Sequence, residues 1–500
     1  MVIDYVSPMD YFWALLPEAT LTFWALVILM VDVFQRGSEP VPARRSIAWL
    51  TVLGVAVTAV ANGWLLTLEE ATATGPIALD SFRVYTNYLF LGAAALFVPL
   101  SWRYLGDERM RHGELFALLL LATVGMMFFA GTRDLMLIFL GLELMSVAVY
   151  VLTAVNRRDR RSAEAGLKYF LLGAFSSAFF LFGIAMIFGG AGSVNLTRIA
   201  DVVQGSGNNL LLKGGLGLLL VGFAFKVAAV PFHMWTPDAY EGAPAPVTGF
   251  MAAAVKAAAF AAFVRVFFTG LLGMYAVWFG AVAILAVVTM VVANLIALWE
   301  DSVKRMLAYS SIAHAGYLLV AVATATTLGA ASFLYYLVVY TLMTMGAFAV
   351  VFLVGQKHEL RLGIAEYGGL GWKLPVVGIT MTVFLLSLAG VPPTGGFWGK
   401  FAILRAAVEQ RYVWLAVTLV LTSLVSYYYY LRVAWYMWFR EADEAVADRE
   451  VRVSPGLRMA LVAAAIAVLL LGIFPAQVLE LAQQSAVALM EIPLSRLAAP

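Results

Sequence analysis

Residues 390–404, "GVPPTGGFWGKFAIL", place two prolines, several glycines and Lys400 inside a stretch that is apolar on both sides. A lysine at the centre of a membrane helix costs about 2.5–3.5 kcal/mol on insertion scales. Pro and Gly free backbone groups that lipid cannot satisfy, so such a break is tolerated only where it is buried in protein or lines a hydrated cavity. The breakers and the lysine therefore serve one end, a flexible polar stretch of backbone beside a buried cation. A second stretch, "FAFKVAAVPFHMWTPDAYEGAPAPVTG" at 223–249, repeats the arrangement about 160 residues earlier, with Lys226 five residues before Pro231. An odd number of spans separates the two copies, so they run through the membrane in opposite directions, as in an inverted-topology repeat.

The rest of the sequence agrees with a membrane setting. Of 500 residues, 63% are hydrophobic and 12% charged, and apolar runs follow one another almost end to end. Windows of about nineteen residues give roughly fourteen candidate spans. The expected fold is all-α and polytopic, with two inverted five-helix repeats, each containing a broken helix. The domain expectation is a three-helix segment over 1–113, a first repeat over 114–268, a second over 269–440, and a loop with a last helix over 441–500. The N-terminus lacks a basic start and a small-residue cleavage site, so it reads as a retained first helix. Basic residues gather in alternate connections: Arg36, Arg44 and Arg45; Arg103, Arg109 and Arg111; Arg157, Arg158, Arg160 and Arg161; Lys304 and Arg305; Lys357, Arg361 and Lys373; Arg440, Arg449 and Arg452. The positive-inside rule puts these in the cytoplasm and both termini outside.

Composition also excludes functions. A net charge of +2 gives no footprint for nucleic acid, and the absence of cysteine excludes disulfides, thiolate metal sites and iron–sulfur clusters within the chain. No glycine-rich phosphate loop lies between a strand and a helix. Redox chemistry, if coupled to this chain, resides elsewhere.

Four ionisable residues lie deep in spans: Glu143, Lys226, Lys256 and Lys400. Lysine suits a proton relay because desolvation lowers its affinity for a proton and a nearby carboxylate raises it. Glu143 and Lys226 are expected to meet, so that a small displacement loads or unloads a proton. The competing reading is a set of packed, paired residues that fix helix register. His233 and His314 join as possible relay members because imidazole titrates near neutral pH, against the alternative of hydrogen-bonded buried side chains. His112 and His358 read as solvated loop residues. Arg265 and Arg405 read as interface anchors with snorkelling side chains. Lys304 and Arg305 read as topology signals, and Tyr427 to Tyr430 as an interface belt or packing. Asp238 and Glu241 read either as collectors of protons or as solvated, capping residues. No histidine spacing suggests a metal site.

The stretch "KVAAVPFHMWTPDAYEGAPAPVTGFMAAAVKAAAFAAFVR" at 226–265, with "GLELMSVAVYVL", "SSIAHAGY" and "GVPPTGGFWGKF", resembles subunit N of bacterial NADH:quinone oxidoreductase, respiratory complex I. That family belongs to the antiporter-like membrane subunits, whose other members read closer to "PFHTWLPDA" where this chain has "PFHMWTPDA". One relative has glutamate at the position of Lys400, and the largest has a long lateral helix beyond its core; the chain follows neither. The resemblance implies proton translocation driven by quinone reduction elsewhere in the complex. Its relay residues are Glu143 with Lys226, Lys256 in the centre, and Lys400. It implies no cofactor in this chain, with NADH, FMN, iron–sulfur clusters and quinone held by other subunits. The partners it implies are other membrane-arm subunits and lipid, in the bacterial inner membrane. The alternative function is a subunit of a multi-component sodium/proton antiporter.

Overall fold

The structure is a computed structural model that describes residues 2–34, 45–71, 74–107, 112–205, 209–355, 362–441 and 453–497. Arg36, Arg44, Arg109, Arg111, Lys357, His358, Arg361, Arg449 and Arg452 lie outside the described residues, as do the side chains of Arg45, Arg103 and His112. The expected helices form because an apolar chain in lipid must satisfy its own backbone groups. In chain order the helices used below are α1 (Leu16–Phe34), α2 (Arg45–Trp64), α3 (Ser81–Asp107), α4 (His112–Gly131), α5 (Leu135–Thr153), α6 (Arg160–Ala191), α7 (Leu210–Lys226) and α8 (Trp235–Gly242). They continue with α9 (Ala245–Gly270), α10 (Tyr275–Trp299), α11 (Val303–Thr324), α12 (Thr327–Gly355), α13 (Pro375–Ala389), α14 (Gly395–Glu409), α15 (Val413–Phe439), α16 (Pro455–Ile473) and α17 (Ala476–Leu497). Among the described residues, 12 helices are long and apolar enough to cross a membrane. The two further spans expected from sequence are the interrupted ones: α7 ends at Lys226 after 17 residues and α13 at Ala389 after 15, each followed by a turn and a second half-helix.

Burial sorts the helices. The spans α9 and α11 are enclosed, α11 at every residue but Arg305, whereas α1 and α16 bury only a third of their length. The alanine-rich sequence of α9, "MAAAVKAAAFAAF", explains its central place, since small residues let neighbouring backbones approach when lipid supplies no hydrophobic drive. Its helix is interrupted by π-helical turns at Met251–Val255 and Val266–Gly270, with the regular segment Lys256–Arg265 between them. Such turns often mark functional sites.

One end of the bundle is tied by buried charges, of which the sequence reading singled out only Arg265, and that as an interface anchor. Arg83 binds Glu18 through one nitrogen at 2.7 and 2.8 Å, and Arg133 binds Glu70 at 2.7 Å. Asp80 is the hub: Arg265 reaches it with two nitrogens at 2.8 and 2.9 Å, and Arg133 lies at 3.6 Å. Arg265 also donates to the Ala130 carbonyl at 2.5 Å and is 1% exposed. The expectation that Arg265 snorkels to an interface is therefore corrected. It sits within α9, where protein rather than lipid surrounds it, and a buried guanidinium needs a carboxylate and carbonyls as partners. Arg405, by contrast, is exposed and pairs with Glu409 one turn on at 2.7 Å.

Candidate functional site

The two breaks are built alike. Just past each helix stands a residue with positive φ, Ala228 at 62° two places beyond α7 and Gly390 at 90° directly after α13, and in each the next amide bonds back five residues, Ala229 to Ala224 at 2.8 Å and Val391 to Leu386 at 3.0 Å. Glycine at 390 is the ordinary choice for this left-handed cap. The freed backbone groups find partners: the Val230 amide donates to Thr289 Oγ1 at 2.9 Å, Trp235 Nε1 donates to the Phe225 carbonyl at 3.0 Å, and the Tyr427 hydroxyl donates to the Gly390 carbonyl at 3.2 Å. A break inside the bilayer is thus satisfied by protein, as lipid requires.

Each break holds its lysine differently. Lys400 Nζ, on the half-helix after the break, donates to the Ala389 carbonyl at 2.9 Å. That carbonyl is an unpaired acceptor at the C-terminus of α13, the negative end of its dipole, so the cation caps the helix across the break. The ammonium also lies 4.8 Å from the centre of the Tyr317 ring. Lys226 ends its own half-helix and is 4% exposed. It donates to Ser146 Oγ at 2.9 Å and Tyr150 OH at 3.3 Å, both on α5.

Glu143 stands on α5 one turn before Ser146 and is only half-buried. Its carboxylate accepts from Ser177 of α6 at 2.5 Å. Among the described residues no ion pair within 4.0 Å joins it to Lys226; the two groups share one face of α5, with the Ser146 hydroxyl on Lys226 and the carboxylate turned to α6.

The centre of the site is α11. Lys256, 2% exposed, donates to the Ser311 carbonyl at 2.6 Å and its hydroxyl at 2.5 Å. One turn on, His314 bonds through Nδ1 to the Tyr336 hydroxyl and through Nε2 to the Tyr430 hydroxyl at 3.0 Å, while Tyr430 also meets Ser310. Another turn brings Tyr317, against Lys400, with Asn294 Nδ2 donating to its hydroxyl at 3.2 Å. Residues three and four apart share a helix face. Ser310, Ser311, His314 and Tyr317 thus line α11 between Lys256 and Lys400.

Several sequence readings change here. Tyr427 to Tyr430 is not one belt: the helical period turns Tyr429 and Tyr430 inward to 2% and 0% exposure and leaves Tyr428 at 61%. Lys304, read as a topology signal, is enclosed, its Nζ donating to the Ala243 carbonyl at the end of α8 at 2.5 Å. Arg305 stays near the surface with Glu241 at 2.7 Å and Asp238 at 3.4 Å, and Asp238 also pairs with Lys168 at 2.9 Å. His233 is half-buried in the first break, and no hydrogen bond among the described residues ties it to the lysines. Tyr317 and Tyr336 were missed and Tyr430 was read only as belt or packing, although Tyr336 and Tyr430 make the hydrogen bonds of His314 and Tyr317 packs edge-on against its ring; aromatic residues in an apolar sequence carry no signal of what their hydroxyls touch. Among the described residues, no hydrogen bond links the Glu143–Lys226 group to the group on α11.

Gly399 offers a test of the tyrosine contact that changes no charge. A Cβ there would run into the Tyr336 ring. Gly399→Ala is expected to push Tyr336 from His314 and, as overpacking of an enclosed site, to lower the melting temperature of the purified protein; a melting temperature equal to wild type would show that the Tyr336 contact is dispensable.

Inward-facing lysines beside two broken helices define a chain of the antiporter-like membrane class. The family described as NADH:quinone oxidoreductase/Mrp antiporter, TM, matches residues 132–426. NADH-quinone oxidoreductase subunit N of Trichlorobacter lovleyi is 46% identical over 475 residues, 94% of this chain and 96% of that protein. A chain of respiratory complex I from Thermus thermophilus with bound aureothin superposes with a TM-score of 0.78 at 36% identity, covering 93% of this chain and 99% of that one. A chain of the Mrp complex from Dietzia sp. superposes at 0.81 with 21% identity, over 95% and 98%, and shows a shared fold. The chain belongs to the subunit N family of NADH-quinone oxidoreductases.

Proposed function

We propose that the chain is a proton-translocating membrane-arm subunit of a respiratory NADH:quinone oxidoreductase, carrying protons along buried lysines while quinone is reduced elsewhere in the complex. The observation that supports it most is the stripe on α11 that spans from Lys256 to Lys400 through Ser311, His314 and Tyr317. Lys226 with Glu143 forms a second station, in which the Ser146 and Ser177 hydroxyls hold the two charges apart in the present conformation. In this reading a shift of α5 against α7 brings the carboxylate to the ammonium and parts them again, which loads and unloads the station. His314 is read as a relay member; His233, lacking a tie to the lysines, is a candidate for access from the break.

The reading includes an inverted pair of repeats over 114–268 and 269–440, flanked by segments 1–113 and 441–500. The matching caps at 228–229 and 390–391 favour that pairing. It also includes a bacterial inner-membrane location with both termini outside, neighbouring antiporter-like subunits as partners, and NADH, FMN, iron–sulfur clusters and quinone in other subunits. Identity near half of the sequence with subunit N favours this over a sodium/proton antiporter subunit, for which the structure shares only the fold.

The test is purification in mild detergent of the chain bearing a C-terminal affinity tag. Co-elution of NADH:quinone reductase activity, with proton uptake after reconstitution, is expected. Recovery with ion-exchange activity and no reductase would overturn the assignment.

A further inference from the structure

A cavity of about 1010 Å³ opens between α4, α5 and α6, at the end of the bundle where α5 stops and α6 starts. That volume is at the top of the roughly 300–1,000 Å³ typical of small-molecule pockets. Its walls are of two kinds. Leu115, Val147, Val151 and Phe170 make an apolar cleft along the helices, while Arg157 and Arg158 stand at its mouth on the connection 154–159. Tyr150, whose hydroxyl meets Lys226, lines the same cleft.

The arginines are the telling feature. Arg157, Arg158, Arg160 and Arg161 are all exposed, and among the described residues none has a carboxylate within 4.0 Å, a state they share with the exposed Arg198 and Arg411; of these six, Arg157 and Arg158 line a cavity, so their guanidinium groups have an enclosed space to face. Asp159, the acid among them, accepts the Arg161 amide at 2.9 Å as the cap of α6. One acid, Glu114, also lines the cavity, against two guanidinium groups, and it has an interaction of its own. A larger groove, lined by α2, α3 and α16, has no charged lining residue and so nothing that would select an occupant.

We propose that the α4–α5–α6 cavity binds one anionic phospholipid, its headgroup phosphate on Arg157 and Arg158 and an acyl chain along Val147, Val151 and Phe170. Guanidinium groups pair with phosphate through two parallel hydrogen bonds, and basic pockets between membrane helices on the cytoplasmic side are the general setting for such headgroups. The occupant must satisfy both parts, charge at the rim and hydrocarbon within, which a soluble anion does not. The cytoplasmic side follows from the orientation given under the proposed function; the binding itself does not depend on proton transport.

The experiment uses the intact complex, washed in mild detergent to a constant lipid content, with retained phosphatidylglycerol and phosphatidylcholine counted after extraction and after re-addition of each. Wild type and the distant surface variant Arg405→Ala are expected to retain one more phosphatidylglycerol per complex than Arg157→Ala/Arg158→Ala. Val151→Trp, which fills the cleft from an exposed helix position and leaves every charge in place, is expected to lose the same lipid. An unchanged count in Val151→Trp overturns the proposal, including the case in which a neighbouring subunit occupies the cleft. Equal retention of phosphatidylcholine at this site, or of phosphatidylglycerol by the double arginine variant, overturns the anionic assignment. If the double variant does not assemble, Val151→Trp decides alone.

Discussion

Lys256→Met yields a complex that assembles and binds its substrates but loses proton translocation, with coupled turnover lower by at least tenfold. A positioned proton-transfer group is worth about 10²–10⁴ in rate, and Lys256 is the ammonium that opens the α11 stripe. Methionine matches its length and removes only the charge and the donors, leaving the Ser311 carbonyl and hydroxyl to find other partners. Lys256→Arg separates relay from packing. Arginine restores the positive charge and can donate to Ser311, yet it does not release its proton under physiological conditions. A residue that merely fixes register would be rescued by arginine; a relay residue would not. The measurement is the proton-to-NADH ratio in reconstituted vesicles, alongside a gel assay of assembly. Normal proton transfer in both variants would remove Lys256 from the mechanism.

The sequence made much of this legible, for identifiable reasons. Membrane spans are written in composition, because lipid allows few alternatives to a helix, and the two breaks are written in Pro and Gly beside lysine. Charges deep in spans announce themselves by their expense, which is why Glu143, Lys226, Lys256 and Lys400 could be named at once. Partners could not. Which carbonyl receives Lys400 depends on the three-dimensional return of α14 past the end of α13, and which hydroxyl receives Lys226 depends on the packing of α5 against α7. Arg265 was misjudged, and the burial of Lys304 went unseen, for one shared reason. Both lie near helix ends, where a rule based on distance along the chain assigns solvent, but other helices enclose α9 throughout and α11 at every residue but Arg305. The tyrosines were passed over because hydropathy treats a phenol as an apolar ring.

Asp80→Ala is expected to be the most destabilising single change outside the relay. It strips Arg265 of its only carboxylate among the described residues and weakens the hold on Arg133, leaving guanidinium charge buried without its counter-ion. Breaking one partner of a buried pair costs about 3–5 kcal/mol, more than the pair contributes relative to an apolar replacement, because the surviving charge is stranded. The loss would appear as a lower melting temperature of the purified complex and less assembled chain in the membrane. Asp80→Asn keeps an acceptor for the guanidinium and should fall between the two. The pH dependence follows from the sign of the shift. Burial alone would raise the Asp80 carboxyl, but Arg265, through its charge and hydrogen bonds, and then Arg133 hold it well below the usual carboxylate range. A depressed folded-state value means that the stabilisation is complete above the ordinary carboxylate range and is lost only as pH falls towards the lowered value, so the gap between wild type and variant should stay flat from about pH 8 to pH 5. A gap that closes within that window would mean that Asp80 takes up a proton there, and the hub could not be the fixed anion that anchors the end of the Lys256 helix.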